Sequence, residues 1–293
     1  MPRRLALADN EPERVRRVKK LLLLAVAALL LTGCRAAPAE TAQILFINVG
    51  KGDAILATAG DKHYLVDAGP LSAWGRVETA LRHHGVTKLE GVFLTHSDKD
   101  HAGGLMPLAK SDVEISTWYA SALYSLDDGK AHFAAEAAAV RGQQVVYLSA
   151  GDSAGPFAVL GPVAPAKDED DNSLVLMLES FRGRALLTGD MKLDGEEALL
   201  RSGRSLQCDV LKLGHHGNSD ATSDLLIERA NPRLAVVSTD SGERPELPDQ
   251  RVVKLLESRE IPLFTTWKSG GGVLVTLDGE NTRAELVSWD SAA

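Results

Sequence analysis

From residue 43 onward the chain alternates short apolar runs with amphipathic stretches. The segments QILFINV, AILAT, KHYLVDA and GVFLT are each bounded by glycine or by charged and polar residues, which predicts strands rather than helices. A helix is expected over 73–84, between the third and fourth of these. Further strands are expected at SLVLMLES, RALLTG, DVLKLG, RLAVVS and GGVLVTL, with helical stretches near Glu196, Leu225 and Val253. Strands crowd the early part of the chain, which excludes a simple βαβ repeat. An α/β architecture follows, with two sheets packed face to face and helices on the outside.

The first part of the chain does not share this pattern. Arg14, Arg16, Arg17, Lys19 and Lys20 precede the apolar run LLLLAVAALLL at 21–31. That run is short of the roughly 20 residues needed to cross a bilayer and has the form of a signal-peptide core. Leu31-Thr32-Gly33-Cys34 follows at once and resembles a bacterial lipobox, which makes Cys34 the expected lipidation site. The expected organisation is a lipoprotein signal peptide over 1–33, a lipidated cysteine and short tether (RAAPAETA) over 34–42, and a hydrolase domain over 43–293. The destination is export, with a lipid anchor in the membrane, the outer one if the cell has two.

Export changes the reading of cysteine and charge. The chain has two cysteines, and once Cys34 is acylated only Cys208 remains, so the expected fold stands without an intrachain disulfide. The whole chain carries a net −8, and a leader of net +4 leaves −12 on the rest. Such a balance argues against wrapping nucleic acid by bulk charge, though not against a local cationic site made by metal ions.

The chemistry concentrates at strand ends. THSDKDHAGG, residues 95–104, places His96, Asp98, Asp100 and His101 on the loop after GVFLT. Aspartate and histidine are ligands for divalent cations, and H-x-D-x-D-H lets alternate residues face one centre while the adjacent pair serves another. A helix is expected to start after Ala102, and a solvated loop with Asp100 as helix cap is the competing reading. Two more strands run into ligand-type residues: LLTGD, ending on Asp190, and LKLGHHG, ending on His215 and His216. By contrast, His83-His84-Gly85 ends a helix, where glycine caps and imidazoles suit the negative dipole end, so that pair is expected to be structural.

These motifs, with VGKGDA at 49–54, VDAG at 66–69 and DNSLVL at 171–176, resemble the metallo-β-lactamase superfamily, in the branch found at the end of ComEC-type DNA-uptake proteins. The resemblance implies an αββα four-layer sandwich with two divalent metal ions, zinc or manganese, along one edge. It implies His96 and Asp98 on one ion, Asp100 and His101 on the other, and Asp190 as bridge. His215 completes the second ion, with His216 beside it as ligand or phosphate contact, and the sequence does not assign the roles within the pair. Asp67, Asn172 and Ser173 orient the site, and Lys212 or protonated His216 faces the charge of a phosphate. The superfamily's more frequent H-x-H-x-D-H has a histidine where this chain has Asp98, which makes the site richer in oxygen. Asn218 stands where relatives usually have serine, and Leu247-Pro248 where many have His-Pro.

Paired cations about 3.5–4 Å apart bring a shared water's pKa toward about 7 and clamp substrate oxygens. Asp100, Asp190, His216 and Lys212 are the candidate catalytic residues. The expected activity is a phosphodiesterase or nuclease acting on extracellular DNA by a metal-bound hydroxide. Hydrolysis of a phosphocholine ester, a lactone or a β-lactam is the alternative, and a non-catalytic binding subunit of a DNA-uptake system a third reading. No long apolar segment follows Cys34, so a role in transport would call for a DNA-uptake partner.

Overall fold

The computed structural model describes residues 41–125 and 132–289; the predicted leader, Cys34 and most of the tether lie outside them. Among the described residues the chain forms two large mixed sheets. The first runs in the order Arg283–Val287, Gly272–Leu277, Ala42–Ile47, Ile55–Ala59, Lys62–Val66, Gly91–Leu94, Trp118–Ser121 and Val145–Leu148. The second runs Leu263–Thr265, Leu234–Val237, Val210–Lys212, Gly183–Leu187, Val175–Ser180, Phe157–Gly161 and Ser153–Ala154.

The central strands are apolar on both faces because each face meets another layer. In Ala42–Ile47, Ile44 and Phe46 turn toward the second sheet, while Leu45 and Ile47 turn toward helices. The same alternation separates Tyr64 and Val66 from Leu65, and Ala185 and Leu187 from Leu186. Three apolar layers result. One joins the first sheet to the helices Trp74–His83, Leu105–Lys110 and His132–Val140. The middle layer lies between the sheets, where Phe93 stacks on Tyr119 at 4.6 Å and meets Phe157 of the opposite sheet at 4.8 Å. The third joins the second sheet to Leu193–Arg201, Asp224–Ala230 and Gln250–Ser258. This is the αββα sandwich.

Each sheet contains a parallel block. Lys62–Val66, Gly91–Leu94, Trp118–Ser121 and Val145–Leu148 pair in parallel, as do Gly183–Leu187, Val210–Lys212, Leu234–Val237 and Leu263–Thr265. Parallel strands end on the same side, so the loops that follow Val66, Leu94, Leu187, Lys212 and Val237 carry the chemistry. One boundary differs from the sequence expectation. A helical turn begins at Lys99, before Ala102, and puts Asp100 and His101 on its first turns. Asp98 occupies the cap position but makes no side-chain capping bond.

Cys208 is buried in the third apolar layer, and burial pushes its thiol up to about 12. His83 and His84 pack on Trp289, beside Gly85 at φ 65°, which is the structural role expected of them.

Candidate metal centre

Asp67 follows its strand with a left-handed φ of 58°, rare for a residue with a Cβ. The turn aims its carboxylate at the neighbouring strand end. One oxygen accepts the Thr95 backbone N–H at 2.8 Å. The other accepts the Thr95 hydroxyl at 2.7 Å and faces His101 Nδ1 at 2.8 Å. Thr95 Oγ1, having donated its proton to Asp67, receives Nδ1–H of His96 at 3.1 Å. His216 Nδ1 donates to the Ser238 carbonyl at 2.9 Å. All three imidazoles are thereby held from behind through Nδ1, and each presents Nε2 to the interior.

These nitrogens converge on Asp190. Its Oδ2 lies 3.3 Å from His101 Nε2, 3.1 Å from His216 Nε2 and 3.8 Å from His96 Nε2. The two nitrogens of His101 and His216 are 3.3 Å apart, and Asp100 Oδ2 is 3.4 Å from His216 Nε2. A tetrahedral cation with ligands at about 2.0–2.1 Å has donor-to-donor edges of about 3.3 Å, so Asp100, His101, Asp190 and His216 have the spacing of a coordination shell. His96 Nε2 and Asp190 Oδ1 are buried without a hydrogen-bond partner. The donor set therefore fits divalent cations.

The electrostatics agree. Burial pushes the His101 imidazolium toward losing its proton, yet the carboxylates of Asp190 and Asp67 outweigh it and carry the group well above its usual value. His216 is raised in the same way by Asp190 and Asp100. Burial raises Asp190, but His216 and His101 outweigh burial and hold its carboxyl well below the usual range. The cavity calls for positive charge, which protons satisfy when cations do not.

The predicted residues fall into three groups. His96, Asp100, His101, Asp190 and His216 meet at one centre, and Asp98 joins His96 from the exposed rim. Of the histidine pair that the sequence leaves unassigned, His216 enters the ligand cluster and His215 lies beside it. Both residues are left-handed, with φ of 44° and 54°, and His215 sits half-buried at the rim, its Nδ1 2.7 Å from Asp220 and its Nε2 4.0 Å from Asp170 Oδ2. Lys212 is a correction. It is neither a surface lysine nor directed at substrate. It is fully buried beneath the site, ion-paired with Asp53, with Nζ 3.0 Å from the Gly189 carbonyl and 3.7 Å from Asp190 Oδ1.

Asp67 and Ser173 do touch the site, Ser173 by accepting the Asp190 N–H at 3.2 Å. Asn172 instead grips Ala166, with bonds of 2.8 and 3.1 Å to its N–H and carbonyl, and braces the loop that leads to Ser173. Leu247 is buried and Pro248 packs against Gly217, so this segment sends no side chain to the cluster.

Sequence reasoning assigned no role to Asp53, Lys51 or Asp170. Gly52, at φ 134°, lets its loop lie directly on Asp100, since a Cβ there would meet the Asp100 carbonyl at 2.3 Å. That approach brings Lys51 onto the Asp100 carboxylate and Asp53 under His101. The signal was present in VGKGDA, which carries the family resemblance without itself telling which of its residues reach the site.

An αββα sandwich with histidine and aspartate ligands from both sheets at one shared edge defines a class of metal-dependent hydrolase folds. The chain belongs to the metallo-beta-lactamase superfamily, which matches its residues 47–241. ComE operon protein 3 of Bacillus subtilis strain 168 is 26% identical over 251 residues, covering 78% of this chain and 32% of that protein. Competence protein ComA of Neisseria gonorrhoeae is 28% identical over 253 residues, covering 83% and 34%. The chain thus spans about a third of the length of these relatives. Among solved structures, zinc-bound PqqB of Methylobacterium extorquens superposes with a TM-score of 0.51 at 14% identity, covering 81% of this chain and 99% of that one. YhfI of Bacillus subtilis superposes with a TM-score of 0.50 at 13% identity, covering 80% and 98%. These two likenesses show the fold.

Proposed function

We propose that this protein is a binuclear metal-dependent phosphodiesterase that acts on nucleic acid outside the cytoplasm, held at a membrane by lipid on Cys34. The observation that carries the substrate class is a cleft of about 990 Å³ that opens beside Asp100. Lys51, Lys99 and Lys110 line it together with Leu71, Met106 and Phe133, against a single further acid, Glu136. A phosphodiester attached to a flat apolar base has that complement of charge and surface. The kinship with competence proteins points the same way, toward DNA handled during uptake, with a channel-forming partner.

His96, Asp98 and Asp190 would hold one ion, and Asp100, His101, His216 and Asp190 the other. Bound there, divalent cations supply Lewis acidity at the phosphoryl oxygens and acidify water. The chain's own groups do the rest. Asp190 faces both clusters and ties them together. Asp67, Thr95 and Ser238 keep the imidazoles in the tautomer that presents Nε2. Lys51 neutralises Asp100 at the mouth of the cleft, so an anionic substrate meets less repulsion there. Lys212 fixes the Gly189 carbonyl and with it the turn that carries Asp190.

Purified protein with added manganese or zinc is expected to cleave simple phosphodiesters and single-stranded DNA, and Lys51→Ala with Lys110→Ala to raise KM more than it lowers kcat. Ready opening of lactones or β-lactams, with phosphodiesters left intact, would overturn the reading. The anchor is tested separately: labelled palmitate is expected to enter the wild-type chain and not Cys34→Ser, and its absence from wild type would remove the anchor from the proposal.

A further inference from the structure

We propose that Asp170 is a ligand of the ion held by His96 and Asp98, which makes the two metal positions chemically unequal. The inference rests on the two-ion reading above and concerns a residue that reading leaves out.

His96 is fully buried, and its Nε2 has no hydrogen-bond partner. The lone pair faces two carboxylates at the same distance, Asp190 Oδ2 at 3.8 Å and Asp170 Oδ1 at 3.8 Å. An unprotonated nitrogen and two carboxylate oxygens repel one another unless a cation lies between them. Ligand bonds of about 2.0–2.2 Å allow donors up to about 4.2 Å apart on one ion, so both separations are within reach. One oxygen each from Asp98 and Asp170 and the His96 nitrogen all lie within 4.8 Å of one another.

Asp170 is also built to present a single oxygen. Its Oδ2 is paired with Lys192 Nζ at 2.7 Å, which leaves Oδ1 turned to His96. Lys192 already has a second anion, Asp168 at 2.9 Å, so Asp170 is not needed merely to balance that lysine. The short helical turn Asp170–Asn172 is fixed from behind by the two bonds of Asn172 to Ala166.

With Asp170 included, one position has His96 against the oxygens of Asp98, Asp170 and Asp190, and the other has His101 and His216 against Asp100 and Asp190. Four carboxylates then balance two divalent ions. The oxygen-rich position suits a harder ion such as manganese, the imidazole pair a borderline one such as zinc.

The test is metal content and affinity, read by elemental analysis after dialysis and by electron paramagnetic resonance of manganese titrated into metal-free protein. Wild type and Asp168→Ala are expected to take two ions per chain. Asp170→Ala is expected to keep one and to bind the other about 100-fold or more weakly, beyond the loss usual for a supporting residue. Asp170→Asn, which preserves shape and one neutral oxygen, is expected to fall between and covers the case in which the alanine variant misfolds. Two ions at wild-type affinity in a folded Asp170 variant would overturn the assignment of Asp170 alone. Fewer than two ions in wild type would overturn the two-ion reading, and this inference with it.

Discussion

Lys212→Met separates a lysine that meets substrate from one that supports the floor of the site. Lys212 is 0% exposed and paired with Asp53, itself 1% exposed. Burial alone would push the Asp53 carboxyl up, but the Lys212 ammonium, together with His101 and His216 beside it, outweighs burial and holds the group below its usual value. Burial would likewise lower Lys212, and Asp53 with Asp190 outweighs it and raises the group. A depressed carboxyl stabilises the fold above its unfolded pKa and is lost as pH falls through its folded one. A raised ammonium stabilises below its unfolded pKa and is lost as pH rises through its folded one. The pair therefore contributes a constant amount across neutral pH. Removing one member of a buried pair typically costs about 3–5 kcal/mol, because the other charge stays behind uncompensated. At about 2–4 °C per kcal/mol for a domain of this size, Lys212→Met should lower Tm by roughly 6–20 °C. Asp53→Asn with Lys212→Met should recover about 1–3 kcal/mol relative to the sum of the single changes. Urea and thermal unfolding of chelator-treated protein measure both. A Lys212→Met variant within about 0.5 kcal/mol of wild type, with the change confined to KM, would refute the buried-support role.

Asp190→Asn should cost more metal and more activity than Asp98→Asn, because Asp190 faces both clusters while Asp98 joins one; full metal occupancy in the Asp190 variant would contradict this. His216→Ala should lose an ion that His215→Ala keeps, as elemental analysis would show. His101 and His216 are raised by their carboxylates, so ion binding near pH 7 should release protons and weaken as pH falls, which calorimetry in buffers of different ionisation enthalpy detects. With its thiol near 12, Cys208 should resist alkylation at pH 8 until the domain unfolds, and fast labelling of native protein would contradict its burial.

The strands and the ligand loop were legible because burial on both faces writes itself as near-continuous apolar runs, and because THSDKDHAGG begins where such a run stops. The choice between His215 and His216 was not legible, since it depends on two successive left-handed residues and neither is glycine. Lys212 misled because a lysine at a strand end usually reaches water, and only the opposing Asp53, far away in sequence, shows that it does not. Asp170 was hidden in an acidic turn whose composition resembles any solvated loop.

The strand Gly272–Leu277 pairs with Ala42–Ile47 along its whole length, and it lies beyond the last residue that touches the metal cluster. Among the described residues, the groups bound to the site fall between Lys51 and Ser238, nearly the same stretch as the superfamily match over 47–241. A chain cut after residue 241 would therefore keep all of its ligands and lose the strand next to its first one. Val273, Val275 and Leu277 would leave the layer between the sheets, and Ile44 and Phe46 would stand at an open edge. Such a truncated chain would carry the complete inventory for metal binding and aggregate before using it.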